Sequence, residues 1–374
     1  MTPVQIVFLG LSITSSWGNG HATTYRGLVR QLARRGHRVL FLERDMPWYA
    51  ANRDLPNPPY GSTALYDSLD DLKSRFAADI ERADLVVVGS YVPEGVAVAN
   101  WVLQHAAGAT AFYDIDTPVT LQKLARADYE YISPELVPRF DLYLSFNGGP
   151  VLQTLEREWG ARRPTPLYCS ADLDNYFPEP TNIQWDLGYM GTYSPDRQTA
   201  LDRLLIQPAK SGRGRFIVAG PSFPAEIQWP SNVQRIEHLA PAGHRAFYNA
   251  QRYTLNVTRA QMVSAGYAPS IRIFEAAACA TPIISDWWHG LDDFFVPGQE
   301  IFVSTSPEQT LHYLWDLPAE KRLEAGRAAR QRVLLQHSAA HRAAQLEACV
   351  LDILNPSDQN IGTNVRECES YGRQ

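Results

Sequence analysis

Cysteine is scarce in this chain, long apolar runs are missing, and basic residues do not outnumber acidic ones. The 4 cysteines, Cys169, Cys279, Cys349 and Cys368, stand far apart and form no C-x-x-C pair. Neither a zinc site nor a disulfide framework is indicated, and reduced thiols in a cytoplasmic protein are the expectation. No stretch reaches the roughly 18 apolar residues of a membrane span. The start of the chain lacks the basic region, apolar run and cleavage site of an export signal. An integral membrane segment is therefore not expected. Lys and Arg number 34 against 40 Asp and Glu, a formal net charge of -6, which gives no general attraction for nucleic acid or anionic lipid. Internal repeats and low-complexity tracts are lacking too, and nothing in the composition sets an oligomeric state.

What the chain does have is apolar content on a scale that two cores need: 374 residues, 45% of them hydrophobic. Val4 to Leu9 is a short apolar run that reads as a buried strand. In the helix that follows, Tyr25, Leu28, Val29, Leu32 and Ala33 recur at i, i+3, i+4, i+7 and i+8, and Gly36 ends the stripe. Arg38 to Leu42, Leu85 to Val88, Ala109 to Tyr113 and Leu142 to Phe146 are further runs without polar alternation, as suits strands covered on both faces. From Arg162 to Gln184 the pattern breaks at Pro164, Pro166, Pro178 and Pro180, the composition of a connection. A second set of strands follows at Leu187 to Met190, Phe216 to Ala219, Tyr253 to Val257, Pro282 to Ile284 and Ile301 to Val303. Helices are expected near Ser270 to Cys279, Glu308 to Leu314, Glu320 to Leu335 and Ala339 to Leu354.

The expectation is an α/β chain of two Rossmann-like, doubly wound domains facing a cleft. Its divisions are residues 1–165, a linker at 166–184, a second domain at 185–338, a helix at 339–354 that crosses back, and a flexible tail at 355–374. Ligands of open α/β sheets bind beyond the carboxyl ends of the strands, so informative residues should follow strands.

The first such loop reads Leu11-Ser-Ile-Thr-Ser-Ser-Trp-Gly-Asn-Gly-His21. Gly18 and Gly20 let backbone amides approach an anion or a sugar, and the helix start adds its positive dipole. A dinucleotide fingerprint fits badly: Gly18 lies eight positions beyond Gly10, and Thr23 stands where a third glycine belongs. His21, where the loop meets the helix, is either a general base for an acceptor hydroxyl or a residue that only ties the loop. Asp114 and Asp116 follow the strand ending at Tyr113, and Pro118 implies a turn between strand and helix. Asp116 is the preferred candidate to orient or deprotonate a hydroxyl; capping the next helix is its bland alternative. Trp17, Trp48, Tyr49, Tyr60, Tyr66 and Tyr91 form a set of aromatics for stacking on an acceptor, or simply for packing.

In the second half, Gly191-Thr-Tyr-Ser-Pro-Asp-Arg197 follows a strand and opens a helix. Gly191, Thr192 and the Arg197 fork suit phosphate oxygens, although Ser194 and Pro195 also make an ordinary helix start. Arg259, in Asn256-Val-Thr-Arg259, is a further phosphate candidate. The stretch Ala268-Pro-Ser-Ile-Arg-Ile-Phe-Glu275 places Pro269 and Ser270 at a helix entrance and Glu275 five residues past Ser270. Free amides at that entrance can hold a diphosphate while the carboxylate accepts from ribose hydroxyls.

The run from Ser270 to Asp286, with Gly290-Leu and Phe295-Val-Pro-Gly-Gln-Glu300, resembles the donor signature of GT-B glycosyltransferases, within them the CgeB-like group of the family-1 type. Gly20-His21, Arg35-Gly-His37-Arg-Val39 and Tyr113-Asp-Ile-Asp-Thr-Pro118 are similar to the amino-terminal pattern of that group. The resemblance implies a glycosyltransferase that moves a sugar from a nucleotide diphosphate sugar, expected to be a UDP-sugar, to an acceptor held mainly by the first domain. It further implies Glu275 on the ribose, Ser270, the Ile271 amide and Arg197 on the diphosphate, and neither cofactor nor metal. One position departs from the pattern: retaining members often carry a glutamate eight residues before the ribose-binding one, and here that residue is Tyr267. A nucleotide-sugar epimerase and a non-catalytic nucleotide-sugar sensor are the alternative expectations.

Overall fold

The computed structural model describes residues 3–355. The first half forms β1 (Gln5–Gly10), β2 (Arg38–Arg44), β3 (Ser62–Tyr66), β4 (Leu85–Gly89), β5 (Ala109–Asp114), β6 (Leu142–Ser145) and β7 (Pro164–Pro166). The second half forms β8 (Trp185–Met190), β9 (Phe216–Ala219), β10 (Val233–Ile236), β11 (Gln251–Asn256), β12 (Ile283–Ser285) and β13 (Phe302–Val303). The two sheets run β3-β2-β1-β4-β5-β6-β7 and β10-β9-β8-β11-β12-β13. All their pairings are parallel. The winding reverses between β1 and β4 in one sheet and between β8 and β11 in the other, so loops leaving those strands open a crevice at their carboxyl ends.

Continuous apolar strands such as Leu85-Val-Val-Val-Gly89 are buried along their whole length, as double coverage by helices requires. The helix His21–Arg34 turns Tyr25, Leu28, Val29 and Leu32 onto the first sheet. Three strands carried too little apolar signal to be expected. β3 and β10 are edge strands with mixed burial. β7 lies inside the proline-rich stretch read as a connection, so that stretch is in part the last strand of the first sheet. Proline is tolerated there because an edge strand has only one side to hydrogen-bond.

The helix Ala339–Leu354 starts at a reciprocal cap between Ser338 and His341. It packs on the helix His21–Arg34, and its Ala343, Leu346 and Val350 complete the core beneath the first sheet. Buried Glu347 accepts from Arg35 Nε at 2.8 Å and faces His37 Nε2 at 3.0 Å. Loops of the two halves also join directly: the Asn147 side-chain amide donates to the Gly266 carbonyl at 2.9 Å, and the Gly148 N–H donates to the Tyr267 carbonyl at 3.1 Å. No disulfide joins Cys169, Cys279 and Cys349 among the described residues. The expected tail beyond Asn355, with Cys368, lies outside the described residues.

Candidate active site between the two halves

The loop after β1 is held from three sides. Glu43, at the end of β2 and fully buried, accepts from Ser12 Oγ (2.9 Å), the Ile13 N–H (2.7 Å), the Thr14 N–H (3.0 Å) and Thr14 Oγ1 (2.6 Å). Arg26 donates to the Ile13 carbonyl at 2.8 Å and pairs with Asp54, which accepts the Ser16 N–H at 2.8 Å. Gly18 then turns through a left-handed conformation at φ 60°, and Asn19 accepts the His21 N–H at 3.0 Å. The Asn19 and Gly20 backbone is thereby set against a cavity of about 190 Å³ whose far wall includes Gly191, Thr192, His238, Ile271, Arg272 and Glu275.

On that far wall the ends of β8 and β9 come so close that a side chain at Gly220 would overlap the Gly191 carbonyl. A side chain at Gly191 would lie 2.8 Å from Arg272 Nη2, so glycine there is what lets the guanidinium reach the backbone. Arg272 also donates to Ser270 Oγ at 3.0 Å. Arg197, buried behind the wall, donates to the Thr192 carbonyl at 2.6 Å. Burial first, then the charges of Arg272 and Arg259, push it down to about 10, which leaves it cationic at neutral pH. Glu275 is buried one turn into the helix Ile271–Ala278 and accepts from Tyr248 Oη at 3.0 Å. Burial raises its carboxyl to about 7 against the opposing pull of Tyr176, Tyr248 and Arg272.

A second constellation adjoins the first loop. His21 is half-buried, its ring packs edge-on against Tyr91 at 5.5 Å, and burial lowers it to about 4, so the imidazole is neutral. Tyr91 holds φ 63°, a conformation that side chains seldom adopt outside functional loops, and its hydroxyl donates to Asp116 Oδ2 at 3.1 Å. Arg259, from the loop after β11, reaches across to the same oxygen at 3.3 Å. His21 Nδ1 and Asp116 Oδ1 are buried with no hydrogen-bond partner among the described residues. The turn before Pro118 keeps the two aspartates in contact, the Asp116 N–H donating to Asp114 Oδ1 at 3.3 Å, but sends their carboxylates to different partners. Asp114 stays under the sheet end, accepting from Tyr143 Oη and Thr120 Oγ1 at 2.7 Å each, whereas Asp116 takes the position before the helix Thr117–Ala125 without capping it.

Of the residues singled out in the sequence, Gly20, Gly191, Thr192, Ile271 and Glu275 border one cavity. Arg197 stands behind it, and His21, Asp116 and Arg259 meet through Tyr91 and the ion pair beside it. The Ser270 hydroxyl is engaged by Arg272. Among the proposed aromatics, Tyr66 is a core residue, Tyr60 lies under the Arg30 guanidinium at 4.8 Å, and Trp48 is 63% exposed. Sequence reasoning missed Arg272, although a cation in the first turn of a helix opposes the dipole and is a readable flag. It also missed His238, because the alternating strand β10 just before it was not seen. Tyr267, where a glutamate was the family pattern, adopts φ 48° with its ring wedged against Gly149 of the first half and Gly290 of the second; a side chain on either glycine would run into it. No cluster of three or more His, Cys, Asp or Glu that could hold a metal ion occurs among the described residues. Nor is any helix among them long and apolar enough to cross a membrane.

Residues 197–348 match a family described as glycosyl transferase-like. No curated protein matches the sequence. Across nearly the whole chain, the fold superposes on sucrose-phosphate synthase from Thermosynechococcus elongatus at a TM-score of 0.69 and 13% identity, covering 95% of this chain and 100% of that one. Anabaena HepE in complex with UDP and glucose gives 0.70 at 14% identity, covering 93% and 99%. A glycosyltransferase from Rickettsia africae gives 0.64 at 13%, covering 96% and 100%. The chain has the GT-B glycosyltransferase fold. In this GT-B frame the cavity lies between the two sheets, where the loops after β1, β8 and β9 face each other, and the family match falls on the half that holds Arg197, Arg259, Arg272 and Glu275.

Proposed function

We propose that the cavity binds a UDP-sugar and that the chain transfers its glycosyl group to a hydroxyl-bearing acceptor held by the first half. The observation that carries this reading is the convergence of Gly191, Thr192, Arg272 and the entrance of the Ile271–Ala278 helix on one cavity, with Glu275 a turn further in. Helix amides and guanidinium groups suit a diphosphate, and a buried carboxylate suits the vicinal hydroxyls of ribose. The HepE complex with UDP and glucose, and an alpha-glucosyltransferase of the same fold in complex with UDP-glucose and DNA, support a UDP-sugar donor. For this chain the net charge of -6 favours an acceptor other than nucleic acid.

In the reaction the bond from the anomeric carbon to the diphosphate breaks, and its electron pair leaves on the diphosphate. Arg197, Arg259 and Arg272 stabilise that charge in place of a divalent ion. The acceptor oxygen forms the new bond to the anomeric carbon, and its proton passes to Asp116 or to neutral His21.

Mass spectrometry after incubation with a panel of nucleotide sugars and hydroxyl acceptors tests the reading. Free UDP with a glycosylated product is expected. An isomerised donor would make the chain an epimerase, and a bound but unchanged donor would make it a sensor. Turnover is expected to persist in EDTA; loss restored by magnesium or manganese would overturn the metal-independent step.

A further inference from the structure

Arg259 stands between two anionic claims. It comes from the loop after β11 in the second half, yet it pairs with Asp116 of the first half at 3.3 Å. That contact is long for a charge-assisted hydrogen bond, which is commonly about 2.7–2.9 Å. Its Nε is buried without a partner among the described residues, and its charge is felt by Arg197 behind the cavity wall. A diphosphate beside Arg197 and Arg272 would offer Arg259 more negative charge and a better fork geometry than one carboxylate oxygen. Asp116 would keep its hydrogen bond from Tyr91 Oη, held in place by the fixed left-handed conformation of that residue.

We infer that Arg259 is a donor-responsive switch: it neutralises Asp116 across the cleft until the donor binds and then transfers to the diphosphate, releasing the carboxylate for the acceptor hydroxyl. Burial pushes the Asp116 carboxyl up and Arg259 is the foremost influence drawing it down, so departure of the guanidinium makes the carboxylate a stronger base. The device enforces an order, donor before acceptor, and limits proton abstraction to the loaded enzyme. It rests on the UDP-sugar reading above.

Calorimetry with UDP and with uridine tests it on Asp116→Asn, Arg259→Gln and the double variant. Removing the competing carboxylate should tighten UDP by roughly fivefold or more, the usual scale of a coupling between sites, and leave uridine unchanged because uridine lacks the phosphates. Arg259→Gln should weaken UDP, and in that background Asp116→Asn should bring no gain. Unaltered UDP affinity in Asp116→Asn, or an equal gain without Arg259, overturns the switch while the donor reading stands. Failure of the wild-type protein to bind UDP overturns both. Should Asp116→Asn not fold, initial-rate and product-inhibition kinetics of the wild type decide: a donor-first order is expected, and random binding overturns the switch.

Discussion

Trp17 and His238 meet across the cleft, with ring centroids 4.3 Å apart and planes tilted by 46°. One belongs to the loop after β1 and the other lies just past β10, so the contact bridges the two halves at the cavity edge. Ring pairs of this kind contribute about 0.5–1.5 kcal/mol beyond the area they bury. Trp17→Ala should therefore loosen closure and lower kcat/KM up to about tenfold, by the rate scale of roughly 1.4 kcal/mol per decade. Steady-state kinetics check this, and an unchanged kcat/KM would show that the pair has no part in closure.

The loop that carries Trp17 depends on Glu43. In Glu43→Gln one acceptor oxygen becomes a donor facing donors, and each buried group left unpaired costs roughly 1–3 kcal/mol. The urea midpoint should fall with the slope of the transition unchanged. A variant as stable as the wild type would mean that the loop is held by Arg26 and Asp54 alone.

Glu275 should make stability and donor binding respond oppositely to pH. Its carboxyl stands at about 7 in the folded chain against an ordinary 4.5. Between those values the folded protein holds a proton that the unfolded chain has released, so this group's contribution to stability falls as pH rises through the interval. Ribose hydroxyls donate to the ionised form, so affinity for a UDP-sugar should instead rise as pH climbs through about 7. Glu275→Gln should flatten both profiles, and calorimetry from pH 5.5 to 8.5 should find a flat donor profile in the variant alone.

His21→Ala should lower kcat by roughly 100-fold, the range of general acid–base groups, while UDP affinity stays near that of the wild type. Because burial holds the imidazole at about 4, its protonation should cost activity only at acid pH and leave the neutral range untouched. If turnover per folded molecule is retained and thermal stability drops instead, the residue serves the loop and Asp116 is the base.

By itself, the sequence determined the two parallel halves, most interior strands and the helix entrance at Ile271, because burial on both faces and the start of a helix are written in neighbouring residues. Gly191 and Glu275 were legible for the same reason: one directly follows a strand and the other lies one turn past a helix entrance. The edge strands β3, β7 and β10 were not, since a half-exposed strand carries little apolar signal, and with β10 went His238. Only the tertiary structure decided that Asp114 stays buried under Tyr143 while Asp116 meets Arg259, that Arg272 reaches Gly191, and that Trp17 touches His238. Two of those pairs, Asp116 with Arg259 and Trp17 with His238, join residues 143 and 221 positions apart and span two separately wound sheets. No local period or cap encodes such a distance; the relative placement of the halves does, through the crossing helix Ala339–Leu354 and the loop contacts at Asn147 and Tyr267.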